Sequence, residues 1–212
     1  MNVQSFVFND FYENTYIIFD ETGECVIIDP GCNTSVERRK VVTFIDQHNL
    51  KPVMLINTHC HIDHVLGNKF ISETYSLGLF AHEIEKQVLA MQPNVAMYYG
   101  IDYDPSPQIT GVLADNDVLT FGNTRLKILF VPGHSPGHIC IYHQESNQLV
   151  AGDALFKVSI GRTDLPGGDY DTLISSISTQ LFTLPDETIV YSGHGENTSI
   201  GHERKNNPFF RV

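Results

Sequence analysis

Residues 58–64 read Thr-His-Cys-His-Ile-Asp-His and follow directly on the apolar run PVMLIN at 52–57. In an extended segment alternate side chains share a side, so His59, His61 and Asp63 face one way while Cys60 and Ile62 face the other. His64 joins the first set only if the chain turns there, as it does on entering a helix. Four imidazole or carboxylate groups then converge at the C-terminal end of a strand, where α/β folds place ligand sites. Imidazoles this close cannot all carry charge, and neutral imidazole with carboxylate is the donor set of zinc and similar cations. Taken alone, the string also fits a closed four-ligand structural site or a solvated polar loop.

Three more strand ends carry a ligand-capable residue flanked by glycine: His134 in VPGHSPGH, Asp153 in LVAGDALF and His194 in YSGHGE. Flanking glycine lets the backbone turn tightly and project one side chain. Singly, each is an ordinary turn residue. Together with the first string they give His59, His61, Asp63, His64, His134, Asp153 and His194, too many for one tetrahedral ion. Two ions sharing a carboxylate suit the set, and such a pair can activate water and polarise a substrate oxygen. That chemistry is hydrolytic.

The elements that must position these residues follow from the pattern. SFVF, NTYIIF and ECVIID predict an antiparallel meander ended by Asp29-Pro30-Gly31. Thr34 or Ser35 caps a helix to about His48, and Pro52 forbids its continuation. PVMLIN is a buried strand, a helix runs from Asp63 to about Tyr75, and residues 79–82 form a short strand. Residues 91–110 lack a clear period and contain several prolines, which predicts an irregular loop or lid. VLTF, a Gly122-Asn123 turn, RLKILFV, ICIYH and QLVAGD return to strands. A helix follows over 170–184, and a last strand over 188–192. With no linker and no residue-level repeat, the expectation is one α/β domain spanning 1–212, its halves sharing the order meander, then helix and strand alternation.

The chain has 212 residues, 42% hydrophobic and 18% charged, with a formal charge of −12. That composition excludes disorder, and the acidic excess argues against nucleic acid and anionic membrane as partners. A small-molecule substrate remains, and the oligomeric state is left open. The four cysteines are irregularly spaced, which fits reduced thiols. No basic leader or long apolar stretch is present, so the expected location is the cytoplasm.

THCHIDH, His134, Asp153, His194 and the early Asp29-Pro30-Gly31 together resemble the signature of the metallo-β-lactamase superfamily over nearly the whole chain. The resemblance implies a four-layer αββα sandwich. It also implies two divalent ions, zinc foremost with iron or manganese as alternatives. His59, His61 and His134 would hold one ion, Asp63, His64 and His194 the other, with Asp153 bridging. Residues 152–169 (GDALFKVSIGRTDLPGGD) and 193–209 (GHGENTSIGHERKNNPF) are similar to short bacterial relatives of glyoxalase II, the hydroxyacylglutathione hydrolases. A thioesterase is implied, in which a metal-bridging hydroxide attacks the thioester carbonyl. Asp63 gains a catalytic role, orienting that hydroxide and accepting its proton, because a carboxylate ligand keeps a lone pair that imidazole lacks.

Arg162 lies where those enzymes carry a substrate-binding lysine, and Asp164 where a tyrosine is usual. Arg162 either clamps a substrate carboxylate or pairs with Asp164 or Asp169. Longer family members grip glutathione through basic groups of a C-terminal helical domain; after His194 this sequence offers Arg204, Lys205 and Arg211. The rival reaction class is a persulfide dioxygenase, whose family shares the THCHxDH string and a GRTD segment. It would use His59, His134 and Asp153 for a single iron. Lactones, β-lactams and phosphodiesters are further substrates of the same superfamily. Cys60 is expected as a packed thiol, His138 and His143 as ordinary strand residues, and Lys157 as a solvated lysine. His82-Glu83 carries no zincin signal, since the second histidine of HExxH is missing.

Overall fold

The β-branched and aromatic residues near the N-terminus form the predicted meander, with β1 (Asn2–Phe8), β2 (Glu13–Phe19) and β3 (Glu24–Ile28) paired antiparallel. The computed structural model describes residues 1–210. It divides into two compact units, one of residues 1–112 with 120–124, the other of residues 113–119 with those from 125 onward.

In the first unit the meander continues through α1 (Ser35–Gln47) into parallel β4 (Lys51–Ile56). Thr34 caps α1 as predicted, in a reciprocal capping box with Glu37. Glu37 also accepts the amide of Asn9 at 2.7 Å, which ties the β1–β2 turn to the start of the helix. After β4 come α2 (Ile62–Val65), α3 (Asn68–Tyr75), β5 (Leu79–Ala81), α4 (Glu85–Tyr99) and β6 (Ile109–Val112). The six strands lie in chain order in one mixed sheet. Ile17, Ile27 and Leu55 of its strands pack with Val41 and Ile45 of α1 and with Val65, Leu66 and Ile71.

Two sequence expectations change here. The single helix expected from Asp63 to Tyr75 is two helices broken at Leu66-Gly67, where the Gly67 amide donates to the carbonyl of Pro30 at 2.6 Å. A Cβ on Gly67 would come within 2.7 Å of that oxygen, so the close approach requires glycine. The loop expected over 91–110 is helical as far as Tyr99. Glu85, Val88, Gln92 and Ala96 form a buried face of α4, while Pro93 lies on the exposed side. Burial of that face outweighs the cost of about 3 kcal/mol for proline in a helix.

The second unit holds β7 (Val118–Phe121), β8 (Thr124–Phe130), β9 (Ile139–His143), β10 (Gln148–Gly152), β11 (Leu155–Phe156) and β12 (Ser159–Ile160). These are followed by α5 (Tyr170–Ser176), β13 (Ile189–Ser192), β14 (Thr198–Ser199) and α6 (Ile200–Asn206). Its main sheet runs β14-β13-β10-β9-β8-β7. α5 passes into a π-helical turn, Ile177–Leu181, where Ser178 and Thr179 bond back to the carbonyls of Ile174 and Ser175. Leu173, Ile177 and Leu181 of this segment pack with Cys140, Leu149, Val190 and Ile200. β14 and α6 lie beyond the strand expected to be last; Ser199 caps α6 by accepting the His202 amide.

All four cysteines are buried and free. Burial pushes the Cys25 and Cys32 thiols up to about 12 and Cys60 well above the usual thiol range. Because the thiolate is the reactive form, a disulfide reagent at mildly alkaline pH should label none of them in the native protein and all of them in denaturant; rapid native labelling would contradict this packing. At Gly31 a Cβ would collide with Glu13 Oε2 and come within 2.7 Å of the Asp63 carbonyl. Gly31→Ala should therefore cost about 1–3 kcal/mol of stability by overpacking, measured by urea unfolding, and an unshifted midpoint would rule out that close approach.

Candidate metal centre

In the first unit β3 is followed directly by Asp29, whose φ of 50° is a left-handed conformation that Asp tolerates better than most residues. The bend aims its buried carboxylate at the start of the histidine string. Asp29 Oδ1 accepts the Thr58 amide at 2.7 Å and Asn57 Nδ2 at 3.3 Å, and Oδ2 accepts the Thr58 hydroxyl at 2.5 Å. The same Oδ2 lies 3.3 Å from His64 Nδ1. His64 thus turns Nδ1 to the protein and Nε2 towards Asp63, whose Oδ2 is 3.5 Å away. His61 begins α2 in extended conformation, and the helix delivers His64 to the ligand side as the sequence requires. The His59 ring lies 4.7 Å from that of His61 and 4.2 Å from that of His64, centroid to centroid. His59, His61, Asp63 and His64 therefore come together here as expected.

Their support is also buried. Glu85 accepts the Cys60 amide at 2.7 Å, and Cys60 itself packs in the buried core, as predicted. Asn9 Nδ2 donates to the Asp63 carbonyl at 3.0 Å. Glu13 is fully buried, accepts the Thr15 hydroxyl at 2.9 Å and places Oε1 4.0 Å from His64 Nδ1. Burial drives its carboxyl well above the usual carboxylate range, against the pull of His64. Glu13 and Glu85 were not singled out from sequence. Their signal was an acid inside or next to an apolar segment, and only burial distinguishes that from a solvated edge residue.

The second unit gathers His134, Asp153 and His194. Asp153 Oδ2 lies 3.5 Å from His134 Nε2 and 3.5 Å from His194 Nε2. Donors on a tetrahedral ion with bonds of about 2.1 Å lie about 3.4 Å apart, so both spacings fit shared coordination, and the oxygen common to them suits a bridging carboxylate. His134 Nδ1 donates to the carbonyl of Arg162 at 2.7 Å, which leaves Nε2 to bind. The Asp153 amide donates to His138 Nε2 at 3.1 Å. His138 is fully buried just before β9 and corrects the expectation of an ordinary strand residue. His143 does lie within β9, bonded to Ser146.

The Arg162 side chain is exposed and makes a bidentate pair with Asp164, at 2.7 Å for both contacts, one of its two expected alternatives. Those hydrogen bonds pull the Asp164 carboxyl down to about 2. Asp169 instead caps α5 by accepting the Thr172 amide. Lys157 is exposed, as expected, and pairs with Glu196 at 2.5 Å. Arg204 bonds Asp186 and the Leu184 carbonyl, which occupies it in holding α6. Arg211 lies outside the described residues.

Comparisons with known proteins agree with this chemistry. The family model for the metallo-β-lactamase superfamily matches residues 8–194. The hydroxyacylglutathione hydrolase GloC of Haemophilus influenzae is 35% identical, over 99% of this chain and 98% of its own. The crystal structure of the BLEG-1 B3 metallo-β-lactamase is 32% identical and superposes with a TM-score of 0.91 over 100% of both chains. TTHA1623, solved in a di-iron-bound form, is 33% identical with a TM-score of 0.88, over 98% of this chain and 100% of that one. The α/β fold implied by the histidine motifs is thus the fold the chain adopts, and the chain belongs to the metallo-β-lactamase superfamily.

Proposed function

We propose that this metallo-hydrolase is a thioesterase of the glyoxalase II type, working as one catalytic domain on a small thioester in the cytoplasm. His59, His61 and His134 would hold one divalent ion, Asp63, His64 and His194 a second, with Asp153 shared. The observation that carries the reading is the Asp153 oxygen set 3.5 Å from two imidazole nitrogens, His134 Nε2 and His194 Nε2. The thioester rests on similarity along the whole chain to the Haemophilus hydroxyacylglutathione hydrolase. Reduced, buried thiols are compatible with a cytoplasmic location, and among the described residues no helix is long and apolar enough to cross a membrane.

Divalent ions bound there supply Lewis-acid polarisation of a carbonyl and lower the pKa of water; zinc suits the donors, and iron is supported by the di-iron form of TTHA1623. The protein's own part is orientation and proton transfer. His64, held by Asp29, and His134, held by the Arg162 carbonyl, present fixed nitrogens. Asp63 takes a proton from the attacking water at a carboxylate oxygen while the water oxygen bonds to the thioester carbon. The carbon–sulfur bond then breaks and the thiolate leaves. The Arg162 side chain, exposed beside Asp164, can exchange that partner for a substrate carboxylate.

Purified protein should contain two metal ions per chain and cleave S-lactoylglutathione. One iron per chain with oxygen uptake, or cleavage of a β-lactam alone, would overturn the thioesterase. Asp153→Ala should lose activity and the second ion, and a fully active variant would sink the bridging role. Arg162→Ala should raise KM about tenfold, the equivalent of one charge-assisted contact. Its Tm and kcat should hold, because an exposed ion pair contributes little to stability; an unchanged KM would remove Arg162 from the substrate site.

A further inference from the structure

We propose that His138 is a positioning residue for the bridging carboxylate. Its neutral imidazole, with the proton on Nδ1, accepts the Asp153 amide at Nε2 and thereby fixes Asp153 relative to His134. The proposal rests on the metal-centre reading above and adds a residue outside the ligand set.

The argument begins where β10 stops. Its pairing with β13 shifts register between Val150 and Gly152, and Gly152 takes a φ of 49°. That turn carries the Asp153 amide away from the strand ladder, in a place where the residue is 7% exposed. A buried amide without an acceptor costs about 1–3 kcal/mol, and His138 Nε2, 3.1 Å away, provides the acceptor. An imidazole nitrogen that accepts must carry a lone pair, which fixes the tautomer. On its other side Asp153 is pinned by Gly161: a Cβ there would collide with the Asp153 carbonyl and come within 3.1 Å of His134 Cβ. The amide and the carbonyl of one residue are therefore both constrained, which fixes the backbone from which its carboxylate projects.

His138 belongs to the same loop as His134. Its carbonyl accepts the Val131 amide at 2.9 Å and its own amide donates to Ser135 at 3.3 Å, so its backbone spans the segment that presents His134. The two rings are 6.1 Å apart and nearly perpendicular, at 83°. His134 turns Nε2 to Asp153 Oδ2, and His138 turns Nε2 to the Asp153 amide. Two histidines four residues apart thus grip one aspartate at its side chain and at its backbone. Partners of this kind typically change metal affinity 10- to 100-fold when removed.

The test compares His138→Leu, which removes the acceptor, with His138→Gln, whose side-chain oxygen can reach the position of Nε2. Zinc titrated into chelator-treated full-length protein should bind the weaker site 10- to 100-fold less tightly in His138→Leu and nearly normally in His138→Gln. kcat should fall in the leucine variant with KM little changed. Equal zinc affinity in all three proteins, or equal losses in both variants, would overturn the proposal. Should the leucine variant fail to fold, His138→Asn, whose amide falls short of Nε2, takes its place. Exchange protection of the Asp153 amide in metal-free protein, kept in His138→Gln and lost in His138→Asn, reads the contact directly, and protection retained in both would refute it. Zinc binding unaffected by Asp153→Ala would defeat the metal-centre reading instead, leaving that amide measurement to decide the His138 contact.

Discussion

A carboxylate removed from water is costly unless its lone pairs are filled, and the first unit is arranged around meeting that demand at Asp29. The Thr58 amide and hydroxyl, Asn57 Nδ2 and the Nδ1 edge of His64 surround it. Each of these groups belongs to the segment that carries the histidine string, so satisfying Asp29 also sets the geometry of the string. The network extends outward. Asn57 accepts Asn68 Nδ2 at 2.7 Å and donates to the His64 carbonyl at 3.0 Å, which fixes both short helices that follow. Asn68 also donates to Ser106, which itself bonds the Val65 carbonyl. The left-handed turn at Asp29 and the glycines at 31 and 67 exist to let these backbones approach.

The second unit solves the same problem with neutral groups. A peptide carbonyl sets the tautomer of His134, an imidazole receives the Asp153 amide, and a glycine permits the close pass at Asp153. One result is a division of labour within Arg162. Its carbonyl orients His134 whatever its side chain does, while the side chain stands in solvent with Asp164. Charge also differs between the units. The first places two further carboxyl groups, Asp29 and Glu13, behind His64; a carboxylate against the far nitrogen of an imidazole, as Asp29 is, strengthens it as a cation ligand, while burial favours the neutral form of Glu13. The chain's formal charge of −12 therefore includes buried acid that faces the site as well as a solvated surface.

Most of the fold was legible because its strands are β-branched and its breaks are sharp. The meander, the Thr34 cap and the strands flanking Gly122-Asn123 occur where local pattern and turn chemistry agree. The failures have one cause in common. α4 keeps Pro93 because a buried face on the opposite side holds the helix, and the helix after Asp63 breaks because a backbone carbonyl thirty-odd residues upstream captures the Gly67 amide. Neither partner is near in sequence, so no local window contains the deciding term.

The sequence by itself determined which residues can bind a metal and in what order they leave their strands, because donor chemistry and the two-residue alternation are local properties. Tertiary structure alone decided how each ligand is held. Asp29 became the anchor of His64, Glu13 and Glu85 became buried supports, and His138 became the acceptor for Asp153. It also placed the Arg162 side chain beside Asp164 rather than Asp169, which was committed to capping α5. These roles depend on burial and on hydrogen bonds between distant segments, and a residue's type and spacing carry neither.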